Sequence, residues 1–155
     1  MDRLQKWAHL AEIAGAIAVV ISLVYVGYQI NENTSAQQSQ TELNLYSLTS
    51  DLDSWYQDSE FVAVVAKANR DFPSLSEVER MQIEKHVLDG LNLWGYAWKS
   101  YGRGQIDEQE WQAWDRWFAG EMQNESWSSV YRKYSYGYHE DFQDHINDVS
   151  TAGAR

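Results

Sequence analysis

Residues 11–30 read AEIAGAIAVVISLVYVGYQI, and from Ile13 to Ile30 eighteen consecutive positions carry no charge. As an α-helix those positions extend about 27 Å at ~1.5 Å per residue. With Ala8–Glu12 added, the rod matches the hydrocarbon thickness of a bilayer. No other stretch is apolar enough and long enough to leave water. It predicts an N-terminal tail and one transmembrane helix over residues 1–30. Beyond it the sequence predicts a helical stalk over 31–58, a helical domain over 59–149 and a flexible tail over 150–155. The fold class is all-α.

The flanks of the rod agree with an anchor. Arg3 and Lys6 precede it, Trp7 stands at its near end, and Tyr25 and Tyr28 stand at its far end. These aromatics are about 27–31 Å apart along a helix, the spacing of anchors at two membrane interfaces. A cleaved signal peptide competes with this reading. Against it, the apolar run is too long, Glu12 precedes it, and no small-x-small site follows. Small residues recur at Ala11, Ala14, Gly15, Ala18 and Ser22, a stripe along which a second membrane helix can approach closely. Ala and Gly are also common in membrane helices, so the stripe has a bland reading too. Glu12 lies at the end of the span, where a charge reaches headgroups or water.

Orientation follows from the basic residues. After Lys6 none occurs until Lys67, so the positive-inside rule puts the N-terminus in the cytoplasm and the domain in the periplasm. Only two side chains drive this, and the opposite orientation stays open.

Composition limits the partners. Residues 31–155 contain ten Lys or Arg and 21 Asp or Glu, a net −11. Such a body repels nucleic acid at long range, which argues against DNA or RNA as a partner. Mean hydropathy is −0.58 despite the apolar rod. The absence of cysteine removes disulfides, thiolate metal sites and a thiol nucleophile.

Helical punctuation organises the remainder. Leu45, Leu48, Leu52 and Trp55 follow a three-four rhythm, predicting that the anchor helix continues to about Gln57 with a kink near Asn31–Thr34. A second helix from Ser59 presents Phe61, Val64, Val65 and Ala68 and ends before Pro73. Ser76 and Glu79 form a capping box ahead of Met81, Val87, Leu88, Leu91, Trp94 and Trp98. That helix stops at Gly102–Gly104. Asp107 and Glu110 form a second box, with Ile106 and Trp111 as a hydrophobic staple, before Trp114, Phe118 and Met122. Two shorter helices are expected around 127–134 and 140–149.

The segments LAEIAGAIAVVISLVYVGYQINENT (10–34), LSEVER (75–80), YGRGQIDEQEW (101–111) and HEDFQDHIND (139–148) resemble a family of short, uncharacterised bacterial proteins. Its members have one N-terminal transmembrane helix, a helical domain and no assigned activity. The resemblance implies a single-pass protein of the bacterial inner membrane and transfers no catalytic residue. Members often carry Arg just after the anchor, where this chain has Asn31, Asn33 and Gln37. Basic residues there hold the domain in the cytoplasm, so this departure bears on orientation.

Three features are candidate sites. Asp141 and His145 are four apart, a spacing compatible with two metal ligands. Neither His9 nor His86 has a matching partner, so a solvated charge run is the stronger reading and no metal or other cofactor is expected. Fourteen aromatics fall between Trp94 and Phe142. Most sit at core spacing, but Trp117 is turned roughly 60° from Trp114 at about 100° per residue, which makes it the candidate partner surface. Tyr134-Ser-Tyr-Gly-Tyr138 is either a groove for a sugar or apolar ligand or a loop closing a helix junction, the second being simpler. No GxSxG, HExxH or phosphate-loop pattern occurs, so the chain is not read as an enzyme.

The expected function is interaction: a membrane-anchored helical protein that self-assembles or serves as an accessory subunit of a larger membrane complex. Two alternatives are a homo-oligomeric pore lined by Ser22 and Glu12, and a tethered ligand-binding domain or enzyme with a pocket among Trp98, Trp114 and Tyr134.

Overall fold

The computed structural model describes residues 2–152; Met1 and residues 153–155, the end of the expected tail, lie outside the described residues. Among the described residues six α-helices follow one another: α1 (Asp2–Ser54), α2 (Ser59–Ala68), α3 (Glu77–Gly102), α4 (Glu108–Glu121), α5 (Glu125–Tyr134) and α6 (Glu140–Ala152). Single 3-10 turns at Trp55–Gln57, Phe72–Ser74 and Ser135–Gly137 join some of them. No strand occurs among the described residues, and the protein is all-α.

Two compact units divide the chain, and the boundary falls inside α1 between Ser39 and Gln40. In the first unit α1 is long and apolar enough to cross a membrane. Every side chain described from Gln5 to Gln37 is exposed. Thr34 Oγ1 donates back to the Ile30 carbonyl, and the segment expected to kink at Asn31–Thr34 is unbroken helix.

The second unit starts nineteen residues earlier than the domain expected from Ser59. The cause is packing: Thr41, Leu45 and Leu52 are buried, Leu45 completely so. The far part of the expected stalk is thus a core helix. Leu48, expected on the same face, is exposed.

Helix α3 is the spine of this unit, packing on α2, α4 and α5, while α6 packs on α4. Ser76 opens it with the full capping box, accepting from the Glu79 amide while Glu79 Oε2 accepts from the Ser76 amide at 2.7 Å. The same Glu79 oxygen accepts from Lys67 Nζ at 2.7 Å, and the Lys67 ammonium, with the Ser76 amide and hydroxyl, holds its carboxyl down at about 2. The buried face runs Ile83, Val87, Leu91, Trp94 and Ala97. Met81, expected on it, is exposed because it lies about 160° from Ile83 around the helix. Gly104, with φ 67°, turns the chain out of α3.

Trp94 is fully buried. Its ring stacks on Phe118 at 5.4 Å and meets Phe142 edge-on at 5.6 Å. Gly90 is a packing glycine, since a Cβ there would come within 2.3 Å of the buried Trp127 ring. Helix α4 begins on Asp107, whose carboxylate accepts from the Glu110 amide at 2.8 Å. Here only half of the second expected box forms. Glu110 turns its side chain inward instead of returning to the cap. Ile106 and Trp111, the expected staple pair, are both buried.

Candidate functional site

Helix phase in α4 produces the surface around Trp117. With Asp107 as cap, Glu110, Ala113, Trp114 and Trp117 fall within one arc of about 100°. On α1, Tyr46, Thr49 and Asp53 fall on one arc by the same spacing. The two stripes line an open groove of about 500 Å³. Trp117 is 41% exposed, and its ring rests on Phe118 at 4.6 Å and meets Trp114 edge-on at 6.3 Å. The groove is aromatic and acidic. Burial raises the Glu110 carboxyl above its ordinary range, against a hydrogen bond with the Trp114 side chain, while Glu42 and Asp107 add repulsion. One of its oxygens, Oε1, is buried without a hydrogen bond.

The candidate anchor and packing residues all belong to the first unit. Ala11, Ala14, Gly15, Ala18 and Ser22 are exposed along one side of α1, and a Cβ on Gly15 would meet nothing within 4 Å. Trp7, Tyr25 and Tyr28 are exposed as well. Tyr28 Oη donates to Glu32 at 2.7 Å, and Gln29 Nε2 donates to Tyr25 Oη at 3.0 Å.

The acidic C-terminal run does not bring Asp141 and His145 together. Asp141 lies 3.5 Å from His139 Nδ1, whereas His145 turns inward to Asp115 at 2.6 Å. Asp115 Oδ1 also accepts from Trp94 Nε1 at 3.0 Å. His145 therefore belongs to a partly buried polar network tying α6 to α4 and α3. Among the described residues no three His, Asp or Glu side chains are grouped to hold a metal ion.

Trp98, Trp114 and Tyr134 point to separate neighbours. Trp98 packs on Phe142, Trp114 on Phe118, and Tyr134 Oη donates to Glu84 at 2.8 Å. The tyrosine loop closes the α5–α6 junction. Tyr138 is pushed up to about 12 by burial and Tyr136 is exposed.

Two residues escaped the sequence reading. Glu110 reads as a cap partner, and no sequence signal says that it lines the groove instead. His86 was a lone histidine. In the structure it is buried among the rings of Trp55, Tyr56, Phe61 and Trp127, with centroids 5.2–6.4 Å away. Its place between Ile83 and Gly90 on the buried face of α3 was the available clue. Burial lowers its pKa, opposed by Asp89 and Asp53.

No protein-family model matches this chain, and no curated protein or solved structure matches it either, so the geometry of its own residues carries the functional reading.

Proposed function

We propose that this is a single-pass membrane protein, of a bacterial inner membrane if the family resemblance holds, acting through protein–protein interaction. It self-assembles or serves as an accessory subunit of a larger membrane complex. One observation carries the reading: the apolar side chains of Ile13–Ile30 are exposed all round α1. Each Val, Leu or Ile left in water forfeits about 1.5–3 kcal/mol of burial. Lipid, and a second helix along Ala11, Ala14, Gly15, Ala18 and Ser22, supply that cover. Trp7 at one end and Tyr25 and Tyr28 at the other suit the two interfaces. By the distribution of Lys and Arg, the N-terminus faces the cytoplasm and the acidic unit the periplasm.

Crosslinking in native membranes, followed by native mass measurement in mild detergent, tests the proposal. A homo-oligomer or a defined complex is expected, weakened by Trp117→Ala without unfolding. A strictly monomeric, partnerless protein overturns the interaction reading. Recovery of a soluble protein shortened at its front overturns the anchor.

A further inference from the structure

We propose that the groove between residues 46–53 of α1 and 110–117 of α4 receives an arginine side chain of a partner protein. The guanidinium would lie against the Trp117 and Tyr46 rings, with Asp53 and Glu110 as its counter-charges. This deepens the interaction reading and rests on it.

The chemistry of the lining selects the occupant. Tyr46 and Trp117 present exposed aromatic surface, and Trp114 lines the groove beside them. Indole and phenol faces attract cations, the guanidinium most often, because the ring face is the negative end of its quadrupole. Two carboxylates line the same groove and no Lys or Arg does. Along α1 no basic residue follows Lys6, and on α4 Arg116 is turned away, its Nε donating to the Gln112 carbonyl at 3.1 Å. The negative charge of the groove is therefore unanswered within its own walls. The opposite charge of an arriving cation offsets the desolvation and repulsion that raise Glu110. Arginine fits better than lysine, since its planar head stacks on rings while its N–H groups reach carboxylates. An anionic partner meets repulsion from Asp53, Glu110 and the nearby Glu42.

The test uses the full chain in maltoside micelles, a non-ionic detergent without a competing cationic headgroup. The Trp114 and Trp117 indole N–H signals are followed by NMR during titration with acetyl-Gly-Arg-Gly amide. The peptide with citrulline in place of Arg, neutral but similar in shape, is the control. Saturable shifts with the Arg peptide are expected, with the citrulline peptide at least about fivefold weaker. Trp117→Ala should weaken binding about two- to fivefold. Asp53→Asn, at an exposed position, should weaken it about two- to fivefold, and near-UV circular dichroism confirms that both variants remain folded. Equal binding of the citrulline peptide, absence of saturable shifts, or tighter binding of tetramethylammonium, a stand-in for a choline headgroup, overturns the proposal.

The outcomes also separate the two readings. Oligomers or complexes that persist while the Arg peptide fails to bind sink the groove inference alone. A partnerless monomer that still binds the Arg peptide supports the groove chemistry and sinks the interaction reading.

Discussion

Residues 13–30 of α1 and residues 83–100 of α3 are both eighteen-residue helical runs, yet they meet opposite fates. The α3 run contains four charged side chains, Glu84, Lys85, Asp89 and Lys99, and the α1 run contains none. In α3 the apolar residues recur every three or four positions and sink into the core. In α1 they surround the helix, and all remain exposed. The lesson concerns distribution more than content. A one-sided apolar stripe is buried by packing on one side, whereas an all-round apolar surface is covered only in the core of a large protein or in a membrane span.

Mutations on the two runs should therefore differ sharply in what they do to the folded unit. The largest effect is expected from Trp94→Ala, which removes the ring stacked on Phe118 and the donor to Asp115. A loss of about 3–5 kcal/mol is expected in guanidinium unfolding followed by near-UV circular dichroism. A loss below about 1 kcal/mol would mean that Trp94 is not the hub of the core. Gly90→Ala comes next. Its new methyl runs into Trp127, and overpacking should cost about 1–3 kcal/mol even though alanine favours helix.

Ser76→Ala opens the α3 capping box and should cost about 1 kcal/mol in the same assay. A smaller, pH-dependent effect is expected from His86. Its folded pKa lies below the ordinary histidine value, so the unfolded chain binds the proton more readily. Stability should be full above the unfolded value of about 6.5 and decline as pH falls below it. The unfolding midpoint of His86→Phe should show a flatter slope between pH 6.5 and the carboxylate range. An unchanged slope would assign the acid sensitivity elsewhere.

At the small end, Leu23→Ala in the exposed run should leave the unfolding of the second unit within about 0.5 kcal/mol of the parent. A larger change would show that the two runs are coupled, and would break the contrast.

Local chemistry made much of this architecture readable. Ser76 with Glu79, Asp107, Pro73 and Gly104 mark where helices start or stop, because caps and turns are decided by atoms within a few residues. The sequence misplaced features that depend on distant neighbours. Leu45 and Leu52 read as part of a stalk, and only the fold shows them inside the core of the second unit. Met81 and Leu48 were apolar and near the right spacing, but their faces meet no cover. The exposed Trp117 was legible from its angle on α4. The acidic lining around it was not, because Asp53 and Glu110 are 57 positions apart in sequence.

The amino-acid sequence alone determined that this protein is helical and that residues 13–30 form an uncharged apolar run. It also determined that the remaining body is acidic and rich in tryptophan. These properties follow from composition, period and capping, which need no knowledge of long-range contacts. Tertiary structure decided that the second unit begins at Gln40, that His145 turns to Asp115, that His86 is enclosed by aromatic rings, and that a Trp-lined acidic groove opens beside α4. Each of these depends on which helix faces which, and burial and pairing across such distances are set only when the helices pack.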